Sequence, residues 1–322
     1  MNPVICAYEI NGSGKNLPLQ GDDIAKKIQA KELAWVHLDA ANPDTKGWLR
    51  ENVSYLDDLI LEALLAKETR PRMSRHGNGA VIILRGVNLN ENAEEEDMIS
   101  IRLWVDRNRI ISTRKRKLKA IQDLKDDFES DNAPLDAGDF VMKLCTNLFK
   151  NMEPVIRSLD ERTDNIEESI LENPDMAARH EIIDIRKTAI ILRRYIAPQK
   201  EVLAALKNSD FGWMEDIDHR HAQENFELLT RYIEDLDAIR ERAQIIKEEL
   251  AAIISDKMNK NMYMLSIVAA IFLPLGFLTG LLGINVGGMP GANNGLAFWI
   301  VVFICCGCAA GILVLMKRLK WI

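Results

Sequence analysis

The residue types that could bind a metal or move a proton are thinly spread in this chain. Cys305, Cys306 and Cys308 would hold a soft metal as thiolates. They lie inside an apolar run, however, and adjacent helix positions point in different directions. Their setting fits small apolar packing. His219 and His221 are two apart on a predicted helix and diverge in the same way, so they read as surface residues, with a cytosolic metal site as the alternative. Glu248, Glu249 and Asp256 would form carboxylate rings able to attract or sense cations if several copies surrounded an axis. The alternative is a solvated helix face. Arg114-Lys115-Arg116-Lys117 looks like a nucleic-acid patch in isolation, but a formal net charge of −7 argues against general nucleic-acid binding. The run is read as a solvated loop. There is no GxGxxG, no Walker loop and no nucleophile elbow, so no enzyme chemistry is expected.

The elements that would position these residues divide sharply. From Asn261 to Met316 there are 56 residues without Asp, Glu, Lys, Arg or His, in a chain of 322 that is 28% charged. Two apolar runs, 262–282 and 296–316, each have about the 20 residues needed to cross a bilayer. The uncharged linker between them is rich in Gly, Asn and Pro and cannot continue a helix. Lys257 and Lys260 precede the first run, and Lys317, Arg318 and Lys320 follow the second. The positive-inside rule therefore predicts both termini in the cytoplasm, with Tyr263 and Trp321 as interfacial anchors. The first residues lack a signal-peptide pattern, and Cys6 and Cys145 suggest no disulfide framework.

A plain anchor would not need the features of the first run. It carries Pro274 and Gly283, and Gly276 and Gly280 have a GxxxG spacing that permits close helix approach. Met262, Leu265, Ala269, Leu273, Gly276 and Gly280 recur at steps of three and four. Two helices cannot enclose a pore, so a pore requires several copies in a ring.

Upstream, 61 residues between Gly212 and Pro274 contain neither Gly nor Pro, enough for a helix of roughly 90 Å. Phe226, Leu229, Ile233, Leu236, Ile239, Ala243, Ile246, Leu250 and Ile253 form a near-heptad stripe on it. That stripe can pack on copies of itself, on upstream helices, or on both. Helices are expected from Asp139 to about 173, and from Pro174 to about 207 with Asn173-Pro174-Asp175 as the start signal. Before them, 4–10, 33–40, 80–90 and 98–113 read as strands, and 53–66 and 118–130 as helices. The expected organisation is an α+β domain (1–135), a helical subdomain and stalk (136–260) and a transmembrane hairpin (261–322).

Gly283-Ile284-Asn285, closing the first apolar run, resembles the Gly-Met-Asn signature of the CorA family of divalent-cation transporters. Lys67-Glu68-Thr69-Arg70-Pro71-Arg72, Arg193-Arg194-Tyr195-Ile196-Ala197-Pro198-Gln199, Asn285-Val286-Gly287-Gly288-Met289-Pro290-Gly291 and the terminal Lys320-Trp321-Ile322 resemble its zinc-transporting branch. The resemblance implies a funnel-shaped homopentamer in a bacterial cytoplasmic membrane, with the first span lining the pore. It also implies zinc as the transported ion, proton coupling, and no resident cofactor. Ile284 in the place of Met puts magnesium selectivity in doubt; the alternatives are a magnesium or other divalent-cation channel, or zinc efflux. From another class, the chain could be a membrane-tethered scaffold.

On this reading Gly283, Ile284 and Asn285 form the pore mouth, where five amides would accept hydrogen bonds from a hydrated cation. The alternative for Asn285 is a helix C-cap. No carboxylate, imidazole or thiolate is near enough in sequence to strip and ligate zinc there. Met262, Leu265 and Leu273 would make apolar constrictions and Gly276 and Gly280 narrow positions, or all would simply pack. Glu248 and Asp256 are the cation-attracting candidates on the stalk.

Overall fold

The computed structural model describes all residues except 1, 13–16, 31, 68, 131, 173–175, 285–293 and 320–322. The chain divides into two compact units, Met1–Lys247 and Glu248–Ile322.

The first unit is built on a six-stranded sheet. Its strands are β1 (Val4–Glu9), β2 (Ala34–Asp39), β3 (Arg72–His76), β4 (Gly79–Gly86), β5 (Ile99–Val105) and β6 (Arg109–Arg114), in the order β1-β2-β6-β5-β4-β3. Only β2 and β6 pair in parallel. Both faces of the central strands are covered, which explains their nearly continuous apolar character. On one face, α1 (Asp22–Gln29), α2 (Thr45–Asn52) and α3 (Asp58–Leu65) bury Ile28, Leu49 and Leu64 against Val36, Leu38, Ile83 and Ile111. On the other, Trp35 packs against Phe128 of α4 (Lys119–Glu129) and Phe140 of α5 (Ala137–Lys150) with ring centroids 5.2 and 5.0 Å apart. Trp35 Nε1 donates to Ser112 Oγ at 2.8 Å, and the ring of His37 meets the same oxygen at 2.8 Å. Burial, and then the charges of Arg114 and Lys125, push His37 down to about 3, so it stays neutral.

Both sheet edges are blunted. On the outer side of β1, Leu19 N donates to Ala7 O and Glu9 N to Leu17 O, and Pro18 between them has no N–H to offer. At the other edge β3 exposes Arg72 and Arg75.

Several elements differ from expectation for local reasons. The stretch 98–113 is two strands, because Asp106 Oδ1 accepts from Asn108 N at 2.8 Å and turns the chain. The helix expected from Val53 begins at Asp58, where Asp57 caps it by accepting from Ile60 N at 2.8 Å. The helix expected from Asp139 is two helices, α5 and α6 (Glu153–Glu172), since Pro154 cannot continue a helix from α5 but suits a first turn. The expected start signal at 173–175 lies outside the described residues. The helix after it, α7, spans Met176–Lys207.

The expected stalk and first span form one helix, α8 (Asp216–Leu282), of 67 residues. Within the first unit its stripe is buried by the chain's own helices: Leu229, Leu236, Ile239, Ala243 and Ile246 are at most 2% exposed. Arg242 reaches Asp160, Asp164 and Glu167 of α6 at 3.2, 2.5 and 2.7 Å, and Arg193 of α7 meets Asp237 at 2.7 Å. The start of α8 is pinned. Asp218, 1% exposed, accepts from Glu215 N at 2.8 Å and sits against Gly138 of α5 so closely that a Cβ there would collide with its carboxylate.

Burial pushes the Asp218 carboxyl up to about 6; the Glu215 N–H opposes this, and the carboxylates of Asp136, Asp139 and Glu215 add to it. The unfolded value is about 3.9. The folded state therefore holds the extra proton, and this contribution to stability is full below pH ~4 and lost as pH rises through about 6. Asp218→Asn keeps the cap without the titration. Thermal melts should show the wild type losing stability relative to this variant between about pH 4 and 6.5 and no further above; a constant difference across that window would refute the assignment.

Candidate functional site

The second unit contains the end of α8 and α9 (Ala297–Arg318), both long and apolar enough to cross a membrane. Their large side chains face outward: Leu273 is 72% exposed, Phe277 70% and Phe303 76%. Water would not tolerate so large an apolar surface, whereas hydrocarbon would cover it.

Helical continuity through Leu282 fixes which residues share a face. At 100° per residue, Met262, Leu265, Ala269, Leu273, Gly276 and Gly280 fall within an arc of about 80°. Side chains at Met262, Leu265 and Leu273 stand open at 63%, 69% and 72%, and nothing lies within 4 Å of a Cβ built on Gly276 or Gly280. Extended toward the N-terminus, the same arc takes in Met258, Ser255 and Ala251; Glu248 lies about 20° beyond its edge, whereas Asp256 and Glu249 lie about 140° and 160° from its centre. The two stalk candidates are therefore not equivalent: Glu248 borders the face and Asp256 points well away from it. Among the described residues no three His, Cys, Asp or Glu side chains converge as a metal cluster within one chain.

Pro274 leaves the carbonyl of Ala270 without its helical donor. Thr279 Oγ1 bonds back to Leu275 O and Gly276 O at 2.9 and 3.2 Å, and Ser266 Oγ to Met262 O at 2.8 Å. The hydroxyls of Ser266 and Thr279 are thus satisfied by the helix's own backbone. The helix ends at Gly283, whose N–H is shared between Thr279 O at 2.9 Å and Gly280 O at 3.2 Å. Ile284 follows, 48% exposed. Asn285 and most of the linker lie outside the described residues, as do Lys320 and Trp321. On α9, Cys305, Cys306 and Cys308 are free thiols, and Lys317 and Arg318 occupy the last turn.

A family model described as CorA-like Mg2+ transporter protein matches residues 30–318. A zinc transport protein, ZntB, of Pectobacterium carotovorum is 34% identical over 316 residues, covering 98% of this chain and 95% of its own. The divalent cation transporter CmaX of Pseudomonas aeruginosa is 36% identical over 323 residues, covering 99% and 97%. The structure of a full-length CmaX protein superposes with a TM-score of 0.86 at 35% identity, covering 99% of this chain and 98% of that one.

The shared face can be tested chemically. In a background with the five native cysteines replaced by serine, cysteines at Met262, Leu265 and Leu273 should react with a water-borne thiol reagent in membranes. Cysteines at Ile271 and Leu278, about 160–180° away, should react at least ~10-fold more slowly, since thiol reaction needs an accessible thiolate. Equal rates on both faces would contradict the assignment.

Proposed function

The chain belongs to the CorA-like family of membrane transporters, and from that premise we propose that it carries zinc across the bacterial cytoplasmic membrane through a homopentameric pore, as uptake coupled to protons. The observation that carries the reading is the uncharged face of α8 that runs unbroken from Ala251 to Gly280, with the helix ending at Gly283-Ile284. A lone anchor has no use for one narrow, uncharged face of this kind. Similarity to the zinc transport protein supports zinc as cargo. The magnesium named for the family supports the second reading, a divalent-cation channel of broader selectivity.

On the proposed path a divalent ion meets Asn285 amides, backbone carbonyls and water. Between Asn261 and Met316 there is no carboxylate or imidazole, and the thiols are those of α9. The ion therefore travels hydrated, and Met262, Leu265 and Leu273 act as apolar constrictions that control wetting. Glu248 raises cation concentration at the cytosolic end of that face. Lys317 and Arg318 in the last turn of α9 support, by the positive-inside rule, a cytoplasmic location for both termini. Protons have no carboxylate or imidazole to ride through the span, so coupling runs through pore water or through the N-terminal unit.

Proteoliposome flux tests these statements together. Zinc should enter faster than magnesium, and an inward proton gradient should accelerate it. Asn285→Ala should lower zinc flux about tenfold, as expected for loss of hydrogen bonds to a charged species. Phenylalanine at Tyr263 should leave the proton dependence intact. Equal zinc and magnesium flux would favour the broader channel, and unchanged flux in Asn285→Ala would remove Asn285 from the pore.

A further inference from the structure

Three basic stretches far apart in sequence line one cavity of the N-terminal unit, with a volume of about 830 Å3. Lys67, Arg70 and Arg72 come from the α3–β3 connection and the start of β3, Lys115 and Arg116 follow β6, and Arg194 comes from α7. Arg85 of β4 and Arg102 of β5 line its inner wall. Among the described lining residues the one carboxylate is Asp97, already held by Arg116 at 2.5 and 3.2 Å. So cationic a cavity runs against the chain's net charge of −7.

The two inner arginines are neutralised to different degrees. Arg85 donates to Thr69 O at 2.9 and 3.1 Å and to Met98 O at 3.1 Å, and lies 4.1 Å from the Tyr195 ring centroid. Arg102 is 2% exposed; it makes a long 3.5 Å contact to Ser100 O, and its Nε has no partner. Arg85 pairs with Ser100 and Ile83 with Arg102, so the two guanidinium groups are diagonal neighbours on one sheet face. Burial first, and then Arg85, push Arg102 down to about 10; Lys115 is lowered by burial, then by Arg102 and Lys67. A buried cation beside another cation destabilises a fold unless an anion joins them.

We propose that this cavity binds a small anion carrying two or more phosphoryl groups. Guanidinium forks match phosphate oxygens in pairs. The volume is that of a small-molecule site. The Tyr195 ring is covered by Arg85 and Arg194, at 4.1 and 4.7 Å, so it offers no stacking platform, and recognition is by charge. The site is independent of which metal the membrane unit carries.

The test is calorimetry on the full chain in detergent, freed of metal, with inorganic triphosphate, pyrophosphate, orthophosphate and ATP as probes. Triphosphate and pyrophosphate should bind, and orthophosphate at least ~10-fold more weakly, as fewer charge-assisted bonds form. ATP affinity equal to that of triphosphate supports recognition by charge; ATP binding with no triphosphate binding overturns it. The exposed double variant Arg70→Gln/Arg72→Gln should weaken triphosphate about tenfold or more without lowering the melting midpoint. Arg102→Met should also weaken binding, yet raise the midpoint of the anion-free protein, because it removes an unpaired buried charge. A purely structural Arg102 would lower it. Absence of triphosphate binding, or equal binding by wild type and the double variant, overturns the proposal.

Discussion

The interior of a bilayer offers a peptide group no hydrogen-bond partner, and the second unit is organised around that fact. Every backbone group from Asn261 to Leu282 has to be paired within the segment, so α8 stays helical through two glycines and a proline. The exceptions are informative. Pro274 frees one carbonyl in mid-span, and Gly283 ends the helix by sharing its N–H between two carbonyls. The side chains obey the same rule: Ser266 and Thr279 return their hydroxyls to the helix backbone. What remains on the proposed pore face is a short set of uncharged groups.

The N-terminal unit meets the opposite constraint. It has water everywhere and must bury enough apolar surface to hold the start of a very long helix. It does so with a sheet covered on both sides and with a few buried polar contacts that leave little freedom. Ser112 joins Trp35 and His37 across two parallel strands, and Asp218 fills the notch left by Gly138. Salt links such as Arg242 with three carboxylates of α6 are partly exposed, and add register more than stability. The stripe on α8 is buried by its own chain, so contacts with other copies, where they form, use other faces of that part of the helix.

The membrane hairpin was legible because the absence of charge over 56 residues is a signal no soluble segment imitates. The long helix was legible for a similar reason, the absence of Gly and Pro. The two-turn helices α1 and α2 were not, since eight residues contain too few periodic positions to register. Strand β3, Arg-Met-Ser-Arg-His, was hidden by its edge position, which lets it be polar. The residues of the candidate pore face were identified as a stripe, but only the unbroken helix separates Glu248 from Asp256. The basic cavity left one trace, Arg102 in the middle of a strand whose other residues are buried and apolar but for Ser100. Gly138 inside α5 is a separate mark, of the place where Asp218 comes unusually close.

The blunted sheet edges matter before the protein works at all. The spans lie after the sheet in the chain, so the sheet is synthesised before the hydrophobic segments that insert in the membrane. Crowded, identical sheets with open edges would zip together into aggregates. Pro18 closes one edge of this sheet, and the cationic side chains of β3 repel a second copy from the other. In the proposed pentamer, association between copies is thereby left to helices.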